Sequence, residues 1–422
     1  MGTIIFKILL SFILVTAFVM PCQSQTVKED TTGQNKQPIN NWNTYDGNMV
    51  FFYAGVGLFL DTQRYIQDEN NIKQVGSMTE FEQAQIRAIR FLFSGILKLH
   101  VPISLYADIG YLALDQGFER NKDPQWSIYN LELKFSLGRI GDLTIGRMKE
   151  PVSLDRTVGG HNLPFMERFA GINAILPSRN DGIKWSNTFL DDRLTGALGW
   201  FNTWLVTGDN FSKSSKQFSG RVTYLPLLDR EENHLLHLGI YGKFSNNSSG
   251  FTRFRASPEA YYSPTFIDTD TIITSGYTNW IGAEVSWRGG PLWIGAEYVQ
   301  NNVSSQLSGN PAFNTYQIFV EMIITGETRP YLYKRGSFAA GSPEKDVTQG
   351  GTGLWAVAAH YTRTDMTSGL IRGGDLDQFT AALSWYAIAG MRTVLQYSLA
   401  RLDRFDLVGW VHMFMLRFQA LL

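Results

Sequence analysis

At 422 residues and 44% apolar content, the chain is long enough for two or three domains or one large all-β domain, and too hydrophobic to be disordered. Only 18% of its residues are charged, against roughly 25% in an ordinary globular protein, whereas 28 Phe, 18 Tyr and 11 Trp make it rich in aromatics. The 37 Lys and Arg against 38 Asp and Glu argue against a generic nucleic-acid binder, and a single cysteine, Cys22, excludes a disulfide scaffold.

The first segment reads as an address. Lys7 precedes an almost wholly apolar run over residues 8–20, followed by Pro21, Cys22, Gln23 and Ser24. A basic start, a short apolar core and small residues near a cut site describe a secretory signal peptide over 1–24, cleaved after Ser24. Anchoring through Cys22 as a lipoprotein is the weaker alternative, because Pro21 is a poor neighbour for that processing. Residues 25–48 are polar and form a flexible lead-in. No later stretch can be a spanning helix: the longest apolar run, residues 49–60, contains Gly55 and Gly57 and falls short of the ~20 residues a helix requires. It is long enough for a tilted spanning strand, so the chain either folds in water or crosses a membrane as a closed barrel.

From Val50 onward, segments of about ten alternating residues repeat between Gly, Asn, Asp, Ser or Pro turns. Tyr129, Leu131, Leu133 and Phe135 fall on one face, with Asn130, Glu132 and Lys134 on the other. Phe218, Gly220, Val222 and Tyr224 oppose Ser219, Arg221 and Thr223. Ile281, Ala283, Val285 and Trp287 oppose Gly282, Glu284 and Ser286. Leu292, Ile294, Ala296 and Tyr298 oppose Trp293, Gly295 and Glu297, and Phe379 to Trp385 repeats the pattern. A half-buried strand alternates because its side-chain period is two. Aromatics close the apolar faces, as interfacial girdles do. About sixteen such segments predict an all-β, antiparallel transmembrane barrel over 49–422, with short periplasmic turns, longer extracellular loops and a water-filled lumen. A secreted propeller or sandwich would share the alternation. Against it stand a last segment running to Leu422 with Phe414, Leu416, Phe418 and Ala420 on one face, and the many charges and glutamines on the polar faces.

Four blocks carry a resemblance. The first is Ile145-Gly146-Arg147-Met148-Lys149-Glu150-Pro151-Val152-Ser153-Leu154, with Phe165-Met166-Glu167-Arg168 and Pro177-Ser178-Arg179 after it. Gly220-Arg221-Val222-Thr223-Tyr224 and Arg255 to Ala260 make the second, and Ile324-Thr325-Gly326-Glu327-Thr328-Arg329-Pro330-Tyr331 the third. The fourth runs through Gly353-Leu354-Trp355, Ala359-His360-Tyr361, Leu383-Ser384-Trp385-Tyr386 and Met391-Arg392. In this order they resemble the phosphate-selective porin family, the porin O and porin P group. The resemblance implies a sixteen-stranded trimeric barrel of the Gram-negative outer membrane that passes anions such as phosphate. His360 and Ser384 depart from the Arg and Asn usual there, and the chain ends in Leu422 rather than an aromatic.

Anion passage requires Arg and Lys whose donors replace part of the ion's hydration shell while binding stays weak enough for release. Arg suits phosphate because its planar fork donates two parallel hydrogen bonds. Alternation points Lys134, Arg147, Lys149 and Arg221 inward, with Arg392 added. Arg87 and Arg90, three apart, cannot both face the lumen of a regular strand, and Arg87 is preferred. The long connection from Gly159 to Arg179 can enter the lumen, making Arg168 and Arg179 candidate constriction residues, with Glu167 pairing one of them. The plainer reading is that these charges hydrate the wall and pair with Glu132, Glu284, Glu297 and Glu321.

Enzyme signatures are missing. His234 and His237, three apart on a strand, point to opposite faces and make a poor metal pair, and no nucleophile elbow, phosphate loop or dinucleotide fingerprint occurs. The expectation is therefore a passive diffusion channel needing no cofactor, with inorganic anions and outer-membrane lipid as partners. A barrel whose loops, 301–314 and 336–353, bind a protein partner is the alternative.

Overall fold

The computed structural model describes residues 43–112, 126–202, 215–274 and 276–422. The expected leader over 1–24 lies outside them, as does the lead-in apart from residues 43–48. Alternation does produce strands: β1 (Val50–Gln67), β2 (Ala84–Leu97), β3 (Ile103–Tyr111), β4 (Trp126–Ser136), β5 (Asp142–Met148), β6 (Asn180–Phe189), β7 (Leu194–Asn202) and β8 (Lys216–Asp229). There follow β9 (His234–Asn246), β10 (Tyr277–Gly289), β11 (Leu292–Val303), β12 (Ala312–Ile323), β13 (Leu354–Ser368), β14 (Ile371–Ile388), β15 (Met391–Arg404) and β16 (Leu407–Leu421). Each pairs antiparallel with its neighbour, and β1 also pairs with β16, Asp61 opposite Arg417, so that the sixteen-stranded sheet closes. A closed sheet leaves no edge, and every backbone group finds a partner within it.

The outward faces are apolar, and Phe218, Ile281 and Phe414 lie there as alternation assigned them. Leu198, Phe218, Ile240, Ile281, Ile318, Leu395 and Phe414 are all exposed. Stacked aromatic pairs lie among them, Phe244 with Tyr277 and Trp355 with Trp385. Bulges shift the register in several pairings, and two of them, each an extra residue in one strand, reverse parity at residues read from the sequence. Phe59 pairs with Ala88 and Leu60 with Ile86, so Arg87 is passed over in the register with β1 and turns inward; Arg87 and Arg90 are both buried inside the barrel. Tyr129 is likewise passed over between Ile128 and Asn130 in the pairing with β3, and its ring lies beside the inward Arg90 and Arg179 instead of on the outer face with Leu131.

The end holding Leu422 is here called the lower end. The connections there are short except one, residues 324–353 between β12 and β13. That placement corrects the view of 336–353 as a loop on the long-loop side, and of 301–314 only residues 304–311 leave the sheet. At the upper end, 149–179 joins β5 to β6 and 247–276 joins β9 to β10. These three connections insert side chains into the barrel. The first insert carries two short helices, Leu154–Thr157 and Ala170–Ile175.

The interior is correspondingly not uniformly wet. Phe165, Phe169, Ile172, Ile175 and Leu176 of the first insert and Phe254 and Phe266 of the second are buried. They share one apolar core with inward residues of β9–β16: Tyr241, Trp280, Val299, Phe313, Leu376, Val394, Val411, Met413 and Met415. Burying each such side chain contributes roughly 1.5–3 kcal/mol, enough to fix loops that would otherwise be mobile. Gly171 shows how close the contact is, since a β-carbon there would overlap the Thr315 side chain of β12.

Candidate functional site

Inward polar side chains on β13–β16, β1 and β2 meet the first insert. Arg392 of β15 donates to the carbonyl oxygen of Leu163 at 2.5 Å and to that of Pro164, and also bonds Ser384 Oγ. Gln396 accepts from the Met166 amide at 2.8 Å, and Gln419 donates to the His161 carbonyl. Glu167 is gripped by two strands. Arg87 bonds both of its oxygens, at 2.7 and 2.9 Å, and Arg417 reaches it at 2.6 Å while holding Asp61. Burial alone would raise the Glu167 carboxyl, but the two guanidinium groups outweigh it and hold it below the ordinary carboxylate range. Arg87 also stacks on Tyr261 of the second insert, 3.8 Å from the ring centre.

The other inserts are held in the same way. Glu259 of the second enters a pocket made by His360, Thr362, Gln378 and Thr380 on β13 and β14. Arg221 of β8 pairs with Glu284 at 2.9 Å and donates to the carbonyls of Arg335 and Gly336 in the third insert. His237 joins Glu284 to Tyr331 of that insert, at 2.9 and 2.8 Å.

The residues singled out from sequence therefore separate into groups. Arg87, Arg221 and Arg392 are buried inside the barrel and hold inserts. Lys149 bonds the carbonyls of Arg156 and Val158 within the first insert, and Arg168 bonds Asp155 and the Val158 carbonyl there. Glu167 turns to Arg87 and Arg417, not to Arg168 or Arg179, the pairing anticipated from sequence. Arg179 donates to Asn130 at 2.6 Å and lies 5.7 Å from the Tyr129 ring, which has Arg90 at the same distance. Arg147 is not inward: it stands opposite Leu131 and Asp181, on the face of the exposed Ile145 and Ile183, and pairs with Asp181 at 3.5 Å. Alternation runs from Thr144 inward to Ile145 outward, so Arg147 follows Ile145, and Lys149 no longer belongs to the strand.

Lys134 does face inward, beside Asp142 at 3.6 Å, with its side chain 42% exposed. Around it the wall of β2–β7 carries Ser94, Ser104, Tyr106, Thr144 and Gly199 on its inner face, with Leu92 and Ile96 among them. Two cations that sequence reading passed over complete this side. Lys184 of β6, next to Thr144 in the sheet, lies within electrostatic reach of Glu132, Lys134 and Arg335. Arg335 is exposed at the end of a short turn of the third insert that packs on β6 and β7. Alternation from Ile183 and Trp185 was sufficient to find Lys184; only the fold brings Arg335 across. Tyr106 stands within reach of Arg90, Arg179, Glu132 and Arg335, linking the exposed cations to the buried ones above. Among the described residues, no group of three or more His, Cys, Asp or Glu is arranged to hold a metal ion.

Comparison with known proteins agrees with the barrel. The model of the family described as phosphate-selective porin O and P matches residues 57–406. An uncharacterised protein of Caulobacter vibrioides is 26% identical over 303 residues, which are 69% of this chain and 60% of that protein, so the match spans about three fifths of the relative's length. Among solved structures, the anion-selective porin from Comamonas acidovorans superposes with a TM-score of 0.54 at 10% identity, over 88% of this chain and 99% of that one. Salmonella typhi OmpF gives 0.54 at 10% identity over 89% and 99%, and OmpT, an outer membrane protein of Vibrio cholerae, 0.53 at 10% over 89% and 99%. At such identities these likenesses concern the fold.

Proposed function

The chain belongs to the phosphate-selective porin O and P family and is a porin of the Gram-negative outer membrane, and on that premise we propose that it conducts anions in preference to cations by passive diffusion. The observation that carries the reading is the one-sided lumen. Inserts and an apolar core fill the β9–β16 side, leaving the β2–β7 wall for solutes. There three cations, Lys134, Lys184 and Arg335, stand with two carboxylates, Glu132 and Asp142. An approaching anion meets a low-dielectric wall on one side and cations on the other, an arrangement that focuses the field and raises local anion concentration. Lys134, its side chain 42% exposed, is open enough to water for weak binding and release. Phosphate and related oxyanions are the proposed solutes, trimeric assembly is the proposed state, and no energy source or cofactor enters the mechanism.

Charge reversal tests the wall directly. Lys134→Glu with Lys184→Glu, measured in planar bilayers under a salt gradient, is expected to move the reversal potential toward the cation side. An unchanged potential in a conducting variant removes this wall from the selectivity filter.

A further inference from the structure

The inserts from opposite ends are tied to different parts of the wall. The first, from the upper end, is held by Arg392, Gln396, Gln419 and Arg417 of β15 and β16 and by Arg87 of β2. The third, from the lower end, is held by Thr195, Arg221, His237 and Arg288 on β7–β10. The Arg329 side chain crosses between them. Arg329, 2% exposed and carried by the third insert, sends Nε and Nη2 to the two oxygens of Glu321 on β12, at 2.5 and 2.7 Å. Its Nη1 donates to the Ala339 carbonyl of its own insert and to the Asn162 carbonyl of the first insert, each at 2.7 Å. The guanidinium carbon lies 4.7 Å from the ring centre of Trp293.

We propose that Arg329 is a positioning residue that locks the two opposed inserts into one rigid constriction, and thereby sets the size limit for solutes passing along the β2–β7 wall. The planar fork is what the task requires. One edge matches a carboxylate in the bidentate manner, while the remaining nitrogen holds two carbonyl oxygens in fixed directions. A lysine ammonium is a point charge and cannot keep both edges at once. Glu321 holds the fork against the wall, so movement of either insert is transmitted to the other. The block Ile324 to Tyr331, singled out in the sequence, thus has a structural purpose separate from charge in the ion path. The size-limit part of the inference rests on the reading that the lumen conducts, whereas the link itself does not.

The test uses Arg329→Met combined with Glu321→Met, which removes both charges and leaves no buried carboxylate unpaired, and Arg329→Lys as the second variant. Hydrogen exchange of the folded barrel is expected to quicken over residues 159–166 as well as 326–340 in both. In bilayers the double variant is expected to conduct more and to admit neutral sugars that the native channel excludes, with the sign of its reversal potential retained. Faster exchange confined to 326–340 overturns the link, as does native-like exchange in Arg329→Lys. Unchanged conductance and size limit in the folded double variant overturn the constriction role, and a changed sign of selectivity would make Arg329 a charge in the path. A native protein that passes no current refutes the channel reading alone, since exchange still decides the link.

Discussion

Glu167 is the point at which the first insert is most tightly committed, and replacing it by Gln has a calculable consequence. In the native interior Arg87, Arg417, Asp61 and Glu167 form a neutral quartet. The substitution leaves it with one uncompensated positive charge in a place that water does not reach, since both guanidinium groups are almost wholly buried. Breaking a buried pair by removing one partner costs about 3–5 kcal/mol. Arg87→Gln falls near the lower end of this range, because Glu167 keeps Arg417 at 2.6 Å. Glu167→Gln falls near the upper end, because two cations lose the same carboxylate. The double variant is expected to cost less than both singles together by about 2 kcal/mol, as contacting residues do. Native-state hydrogen exchange over residues 163–169 reads the docking of the insert separately from global unfolding. Costs that add to within about 0.5 kcal/mol would show that the two groups do not act together, and would refute the reasoning.

Three further outcomes follow from the same geometry. Because Arg87 and Arg417 hold the Glu167 carboxyl below its ordinary value, its contribution is whole at neutral pH and persists down to about pH 4.3, the unfolded value; it is lost only as pH falls through the depressed folded value. An acid titration of exchange over 163–169 should follow that order, and loss beginning near pH 6 would contradict it. Ile240, 66% exposed in the middle of β9, faces lipid. Ile240→Arg should cost about 2–4 kcal/mol of barrel stability in bilayers, and a neutral result in an unfolding titration would place that face elsewhere. Glu259→Ala removes the carboxylate that His360, Thr362, Gln378 and Thr380 surround. Protease cleavage within 247–276 should then quicken while the barrel stays folded, and native-like resistance would show that the pocket does not hold the insert.

The barrel was legible because lipid imposes period two on every outward face. Phe218, Val222, Ile281, Val285, Phe379 and Phe414 are where alternation put them. The bulges were not legible. One extra residue at Arg87 and another at Tyr129 reverse parity locally, and nothing in the adjoining residues marks the change. The filled half of the lumen had left a trace. Val411, Met413 and Met415 are as apolar as Trp410, Phe414 and Leu416 on the other face, and a strand apolar on both faces is covered on both. The contacts that make the inserts rigid join residues such as Arg392 and Leu163, far apart in the chain, and only closure of the sheet brings them together. Arg335 illustrates the same limit for the candidate site, since its place beside Lys134 and Lys184 depends on the third insert folding back inside. Arg221, by contrast, was recognised as inward, but its pairing with Glu284 and the carbonyls at 335 and 336 shows an anchor where spacing had suggested an open charge.

The most direct test of anion passage along the basic wall is the reversal potential of the native protein in a planar bilayer, first in a chloride gradient and then as phosphate is titrated in. The arrangement of Lys134, Lys184 and Arg335 predicts an anion-signed potential that shrinks in magnitude with rising salt, as screening shortens the reach of these charges to ~10 Å at 0.1 M and less above it. Block of the chloride current by added phosphate would further identify an oxyanion-binding wall. A cation-signed potential would contradict the account while leaving the barrel and its inserts as described.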